Sequence, residues 1–194
     1  MSWGTNAKKT TKEVPVKTGF GKEYYRNLFE NNTAQSVPVR MALVAKENCA
    51  KSGLAISIAR QVRPKGKIIV IDVDNSAQAT IEEVYGDDKD ITVLPLLDER
   101  DESIYNEDST INYAALIDKA NFYVNIIADK VSEGEDIAAI VFDGGSTFMK
   151  WCENAMTWFL MNRSKNPINV EDGDRFNQAE WRTRNRLFKD VITR

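Results

Sequence analysis

The chain has 194 residues, of which 42% are hydrophobic and 28% are charged, and its 26 basic and 29 acidic residues give a net charge of −3. This length and composition predict one globular domain with a sizeable core, and the charge balance excludes a protein that binds nucleic acid through a uniformly basic surface. The sequence contains no histidine, and Cys49 and Cys152 form no CxxC pair. These facts exclude a zinc site, a histidine base and a Ser-His-Asp triad.

The sequence shows no apolar run near the length of a membrane span, which is about 18 residues, and no apolar signal-peptide core near Met1. We therefore expect a cytoplasmic protein with no membrane partner. Residues 1–18 are polar and lack hydrophobic periodicity, which predicts a flexible N-terminal tail. Residues 19–194 are expected to form one α/β domain, with a short helix over residues 20–30.

A strand, a loop and a helix are predicted between residues 39 and 63. The apolar run 41–45 is typical of a buried strand, and apolar residues at three- and four-residue spacing predict a helix over 51–61. Ala45 is followed by four residues and then by Ala-Lys-Ser at positions 50–52. This is the spacing of the phosphate-binding loop G-x-x-x-x-G-K-[ST], with alanine at both glycine positions.

The next strand is predicted over residues 67–73 and ends in two carboxylates, Asp72 and Asp74. Side chains at the carboxyl end of a parallel strand point to the crevice where open α/β sheets bind ligands. Ser76 is expected to cap the following helix, residues 77–85, and so to leave both aspartates free for a ligand.

The remainder of the chain continues the alternation of strands and helices. We expect a strand over 91–97, a solvated acidic loop over 98–108 and a long helix over 111–131. A fourth strand, residues 137–142, leads into Asp143 and two glycines, which is the Walker B pattern of a carboxylate that holds Mg²⁺. Two further helices are predicted, one from residue 148 with its large aromatic residues in the core, and a basic one over 178–194.

Strands that alternate with helices predict a three-layer α/β sandwich with a mostly parallel sheet. The 45–52 loop, the Asp72/Asp74 pair and Asp143 all follow predicted strands. Since the carboxyl ends of parallel strands meet at one edge of the sheet, these groups are expected to converge there. This expected convergence favours nucleotide binding over an α/β scaffold without a site.

The segments AKENCAKS, VIDVDNS, IVFDGGS and QAEWRTRNRLF, in this order, resemble the P-loop NTPases. Within that group they are most similar to the RecA-like ATPases, which include AAA-type ATP-binding proteins of phages and archaea. The resemblance covers about residues 39–194 and implies RecA-like topology with a degenerate Walker A motif. It also implies ATP and Mg²⁺ as ligands and an ATPase that acts in DNA metabolism, in recombination, replication or packaging, with DNA or DNA-processing proteins as partners.

The resemblance assigns roles to individual residues. Lys51 would bind the β- and γ-phosphates and take part in catalysis, and Asp74 would stand where the family has its water-activating acid, usually a glutamate. Ser52 and Asp143 would hold Mg²⁺, with Asp72 as a further metal ligand. The nucleotide-binding loop would consist of Lys46, Glu47, Asn48, Cys49, Ala50, Lys51, Ser52 and Gly53.

Three alternatives remain open. Lys46 lies five residues before Lys51, which is the register of the K-G-G-x-x-K-[ST] loop of ParA/MinD-like partition ATPases, although Glu47 and Asn48 replace the paired glycines. The second alternative is a degenerate, non-hydrolysing P-loop scaffold that serves as an interaction module. The third is an α/β enzyme outside the P-loop class. RecA-like cores continue with a further strand, so we also expect a homo-oligomer or a fragment whose sheet is incomplete at the C-terminus.

Overall fold

The computed structural model describes residues 40–46, 49–86, 88–169 and 175–193. The chain divides into two units, Met1–Ala42 and Leu43–Arg194, and every helix and strand described below belongs to the second. The helices are α1 (Lys51–Val62), α2 (Ala77–Tyr85), α3 (Tyr113–Ser132), α4 (Gly145–Met161) and α5 (Gln178–Ile192). The strands are β1 (Lys67–Asp72), β2 (Ile91–Pro95) and β3 (Ile137–Asp143), and a 3-10 helix spans Glu102–Ile104. The predicted tail 1–18 and helix 20–30 lie outside the described residues.

The described strands form one open parallel sheet in the order β2-β1-β3. Strand β1 has the sequence KIIVID, and every residue after its first lysine is buried. A strand that is buried on both faces is expected to be rich in β-branched residues, and β1 accordingly becomes the centre of the sheet. The predicted α/β class is therefore confirmed as a small parallel sheet flanked by helices.

Helices cover both faces of the sheet because successive side chains of β1 point in opposite directions. Ile68 and Val70 pack with residues of α1 and α2, among them Ile56 and Ile81. Ile69 and Ile71 pack on the other face with buried residues of α3, α4 and α5, among them Leu116, Phe148 and Val191. The larger cluster lies on the side of α3, α4 and α5.

The predicted strand over residues 41–45 is wrong. Residues 40–46 have no regular secondary structure, and Met41 and Val44 are 56% and 93% exposed. A strand is held by hydrogen bonds to a neighbouring strand, and no described strand pairs with this segment. Strand β3 is thus the edge of the described sheet, and its Ile140 is half exposed.

Two other predictions are corrected in part. The acidic loop 98–108 contains the 3-10 helix, and Asp101 accepts a 2.8 Å hydrogen bond from Lys119 of α3, so it is more ordered than a solvated loop. Helix α4 begins at Gly145 rather than at 148, and its Trp158 and Phe159 are about half exposed, not in the core. Among the described helices, none is both long and apolar enough to cross a membrane.

A close contact between Gly66 and Ala138 fixes the start of the β1–β3 pairing. Lys67 pairs with Ile137 and Ile68 pairs with Ala139, so Ala138 is an extra residue on β3. A Cβ atom on Gly66 would lie 2.7 Å from Ala138 Cβ and 3.0 Å from its backbone nitrogen. Only a residue without a side chain fits against this bulge.

We therefore expect Gly66→Ala to lower the free energy of unfolding by about 1–3 kcal/mol, because the added methyl group meets backbone that cannot move freely. The matched control is Gly53→Ala in α1, where the new Cβ would meet only Thr80 Cγ2 at 3.7 Å. This control should gain about 0.5–1 kcal/mol from its helical position. Urea unfolding measures both, and equal stability of the two variants would contradict the packing argument.

Candidate functional site

The order of the strands places a topological switch point between β1 and β3, and the space at the carboxyl ends of these two strands is called the crevice below. From β1 the chain crosses to β2 on one side, then returns past β1 to form β3 on the other side. The connections on the two sides of β1 therefore run in opposite directions. Such a switch point is where open α/β sheets bind ligands, at the carboxyl ends of the strands.

Aspartates end both strands at this switch point. Asp72 of β1 and Asp143 of β3 are partners in the parallel register, and Val73 N donates to Asp143 O at 3.1 Å. Paired residues in a parallel sheet project from the same face, which here is the face covered by α1 and α2. The sequence-predicted carboxylates are thus brought together on one side of the sheet.

The decisive contact joins Ser52 to Asp143. Ser52 Oγ donates a hydrogen bond to Asp143 Oδ2 at 2.5 Å, across 91 residues of sequence. Asp143 Oδ1 accepts a 3.1 Å hydrogen bond from Gly144 N, so both carboxylate oxygens are oriented. The serine of the 45–52 loop and the aspartate after β3, which the sequence predicted as a pair of metal ligands, lie in direct contact.

Helix α1 begins at an unusual backbone conformation. Ala50, its N-cap residue, has φ 50° and ψ 34°, and no side chain caps the helix. This left-handed conformation normally favours glycine, so Ala50 has the backbone conformation expected of the glycine that it replaces in the motif. Lys51 Nζ donates to the Lys46 backbone oxygen at 2.8 Å, which holds the ammonium group against the loop.

The other predicted loop residues have different surroundings. Cys49 is exposed, and Gly53 O accepts a 2.8 Å hydrogen bond from the Tyr85 hydroxyl, which ties α1 to α2. The predicted nucleotide contacts of Glu47 and Asn48 lie outside the described residues.

Gly144 belongs to the site, although sequence reasoning assigned it no role. It is the N-cap of α4 with φ 85°, and no side chain caps that helix. A Cβ atom here would lie 2.8 Å from Val73 Cβ and 3.3 Å from Asp74 Oδ2. The two glycines after Asp143 were the sequence signal for this role. The turn from β3 to α4 lies so close to the end of β1 that a side chain at Gly144 is excluded.

Asp72 has a structural contact that the sequence did not predict. Its Oδ2 accepts a 3.1 Å hydrogen bond from Ala77 N at the start of α2, whereas Ser76 makes no side-chain cap, so the predicted Ser76 cap is wrong. The residue is fully buried and its Oδ1 has no hydrogen-bond partner among the described residues. Burial raises the pKa of Asp72, and the neighbouring Asp143 and Asp74 raise it further.

Asp74 lies two residues past the end of β1. It is exposed, and its Oδ1 accepts a long, 3.3 Å hydrogen bond from Ser76 N. Its Oδ2 is the oxygen that would contact a side chain on Gly144. Asp74 therefore lies beside the turn that follows Asp143, with its side chain exposed.

The donor set fits magnesium only together with a ligand that supplies oxygens. No group of three or more Asp, Glu, Cys or His residues within the described ranges could hold a metal by itself. Magnesium is, however, usually bound by one or two protein oxygens together with waters and substrate phosphates. Ser52 Oγ and Asp143 Oδ2 are two such oxygens, and they already lie side by side.

Comparison of the chain with family models, with curated proteins and with solved structures gave no match.

The conformation of Ala50 gives a stability test. An L-residue with a Cβ atom loses about 1–2 kcal/mol in the left-handed region, while glycine costs about 0.5–1 kcal/mol in unfolded-state entropy. We expect Ala50→Gly to raise the free energy of unfolding by about 0.5–1 kcal/mol. Ala55→Gly, in the interior of α1, should lower it by a similar amount. Thermal and urea unfolding measure the stability of both variants. A lower free energy of unfolding in both would show that Ala50 is not strained.

Proposed function

We propose that this chain binds magnesium-ATP in the crevice between β1 and β3, with residues 46–53 around the phosphates, as the resemblance to P-loop NTPases implies. The observation on which the proposal depends is the 2.5 Å hydrogen bond between Ser52 and Asp143. The two residues are 91 positions apart in sequence and meet at the switch point of the sheet. Their side chains are also the two that the loop and strand motifs predict as magnesium ligands.

Two helix N-termini support an anionic ligand at this place. Helices α1 and α4 both begin without a side-chain cap, each after a residue in the left-handed conformation. Their first N–H groups have no partner within the helix, and such groups bind phosphate oxygens well. The Ser52–Asp143 contact holds the two helix starts next to each other, so one polyphosphate could accept hydrogen bonds from both.

The carboxylates explain why the ligand would need a cation. Asp143 and Asp74 place negative charge beside the helix starts. Phosphate groups would be repelled by these carboxylates unless a divalent ion compensated the charge. The ion would be held by Ser52 and Asp143, and it would supply charge neutralisation at the phosphates.

Asp74 is the candidate base for hydrolysis in this proposal. It is exposed at the crevice, and it can accept a proton from a water molecule placed between it and the phosphates. Lys51 would exchange its contact with the Lys46 carbonyl for a contact with phosphate.

Substitution of Lys51 tests the proposed phosphate contact. Lys51→Ala should weaken magnesium-ATP binding by about 10–100-fold, since a charge-assisted hydrogen bond is worth about 1.5–3 kcal/mol. Lys65→Ala, at an exposed turn, is the matched control and should bind as the wild type does. Isothermal titration calorimetry gives both affinities. Wild-type protein that binds no ATP, or equal affinities in the wild type and Lys51→Ala, would refute the proposal.

Substitution of Asp143 distinguishes a metal ligand from a structural residue. Asp143→Asn should abolish the gain in ATP affinity that Mg²⁺ produces, while affinity without Mg²⁺ stays equal or rises because one repulsive charge is removed. Asp118→Asn on the exposed side of α3 is the control and should keep the full magnesium effect. Titrations with Mg²⁺ and with a chelator test this. An equal loss of affinity under both conditions would mean that Asp143 acts only through structure.

A further inference from the structure

The outer side of helix α5 has a row of basic residues. Arg182, Arg186 and Lys189 are exposed and lie three and four residues apart, so they share one side of the helix. The buried residues of α5, such as Glu180 and Val191, lie on the opposite side. The three cations therefore form one line about 10 Å long that faces solvent.

Two other charged residues of α5, Glu180 and Arg184, are already engaged. Glu180 is buried, accepts a hydrogen bond from Asn177 N and pairs with Arg163 at 3.2 Å. Arg184 stacks over the Trp181 ring at 4.6 Å and lies 3.9 Å from Glu153. In contrast, no described residue forms an ion pair or hydrogen bond with the side chains of the basic row.

We propose that this row binds the phosphate backbone of nucleic acid, without reading base sequence. Phosphates that repeat along a strand match cations that repeat along a helix, and their neutralisation releases bound counterions. The chain as a whole has a net charge of −3, so a basic row without an ion-pair partner among the described residues is a local feature rather than a consequence of overall composition. Asp190 is the acidic residue that flanks it.

The structure favours nucleic acid over a membrane surface. A basic amphipathic helix binds lipid by placing its apolar side between the headgroups. The apolar side of α5, including Leu187, Phe188 and Val191, packs into the larger hydrophobic cluster, on the face of the sheet covered by α3, α4 and α5. Only the charged side is therefore available to a partner. This inference goes beyond the proposed nucleotide site and does not depend on it.

The test is fluorescence anisotropy of the full chain with a labelled mixed-sequence DNA duplex, without nucleotide or Mg²⁺. Three phosphate contacts predict a slope of about −2.7 for log affinity against log salt, or about a 40-fold loss between about 50 and 200 mM salt. The triple variant Arg182→Gln, Arg186→Gln, Lys189→Gln should bind at least about tenfold more weakly at low salt, with a slope near zero.

The matched control is Lys65→Gln, Lys89→Gln, Lys165→Gln, which removes the same charge from three exposed but scattered positions. It should keep the wild-type slope, as should the charge-preserving variant Arg182→Lys, Arg186→Lys. Circular dichroism and ATP affinity of each variant should match the wild type, so a failure here is separate from a failure of the nucleotide proposal. Absence of DNA binding by the wild type, equal losses in both triple variants, or binding to phosphatidylserine vesicles but not to DNA would overturn the inference.

Discussion

The parallel pairing of β1 with β3 is the constraint on which the site depends. Its register places Asp72 beside Asp143, and the Val73 N–H bond to Asp143 O continues the pairing past the last strand residue. A shift of one residue would turn Asp143 to the other face of the sheet, away from α1. The bulge at Ala138 and the absence of a side chain on Gly66 together fix this register.

This register gives the three aspartates of the crevice different surroundings. Asp72 is buried and holds the start of α2, so its carboxylate stabilises the framework of the crevice. Asp143 contacts Ser52, and Asp74 is exposed beside Gly144. All three are carboxylates, and they differ in burial and contacts. In the proposed function Asp72 therefore supports the fold, Asp143 binds the metal and Asp74 accepts a proton.

The proposed nucleotide site and the basic row on α5 are built on different elements. The crevice is formed by β1, β3 and the starts of α1 and α4, whereas the row occupies the solvent side of the last helix. Helix α5 joins the domain through its apolar side and through the ion pair of Glu180 with Arg163. Substitutions on its outer side should therefore leave the crevice intact, which makes the two proposals separable by experiment.

The sequence by itself determined the α/β class and nearly all of the helices and strands, because buried β-branched runs such as KIIVID and helical apolar spacing are local signals. It also picked out Ser52 and Asp143. Only the tertiary structure decided that these two touch, that Asp72 rather than Ser76 caps α2, and that the run 41–45 is not a strand. The reason is physical: strand pairing, burial of a carboxylate and contact across 91 residues depend on partners that are distant in sequence.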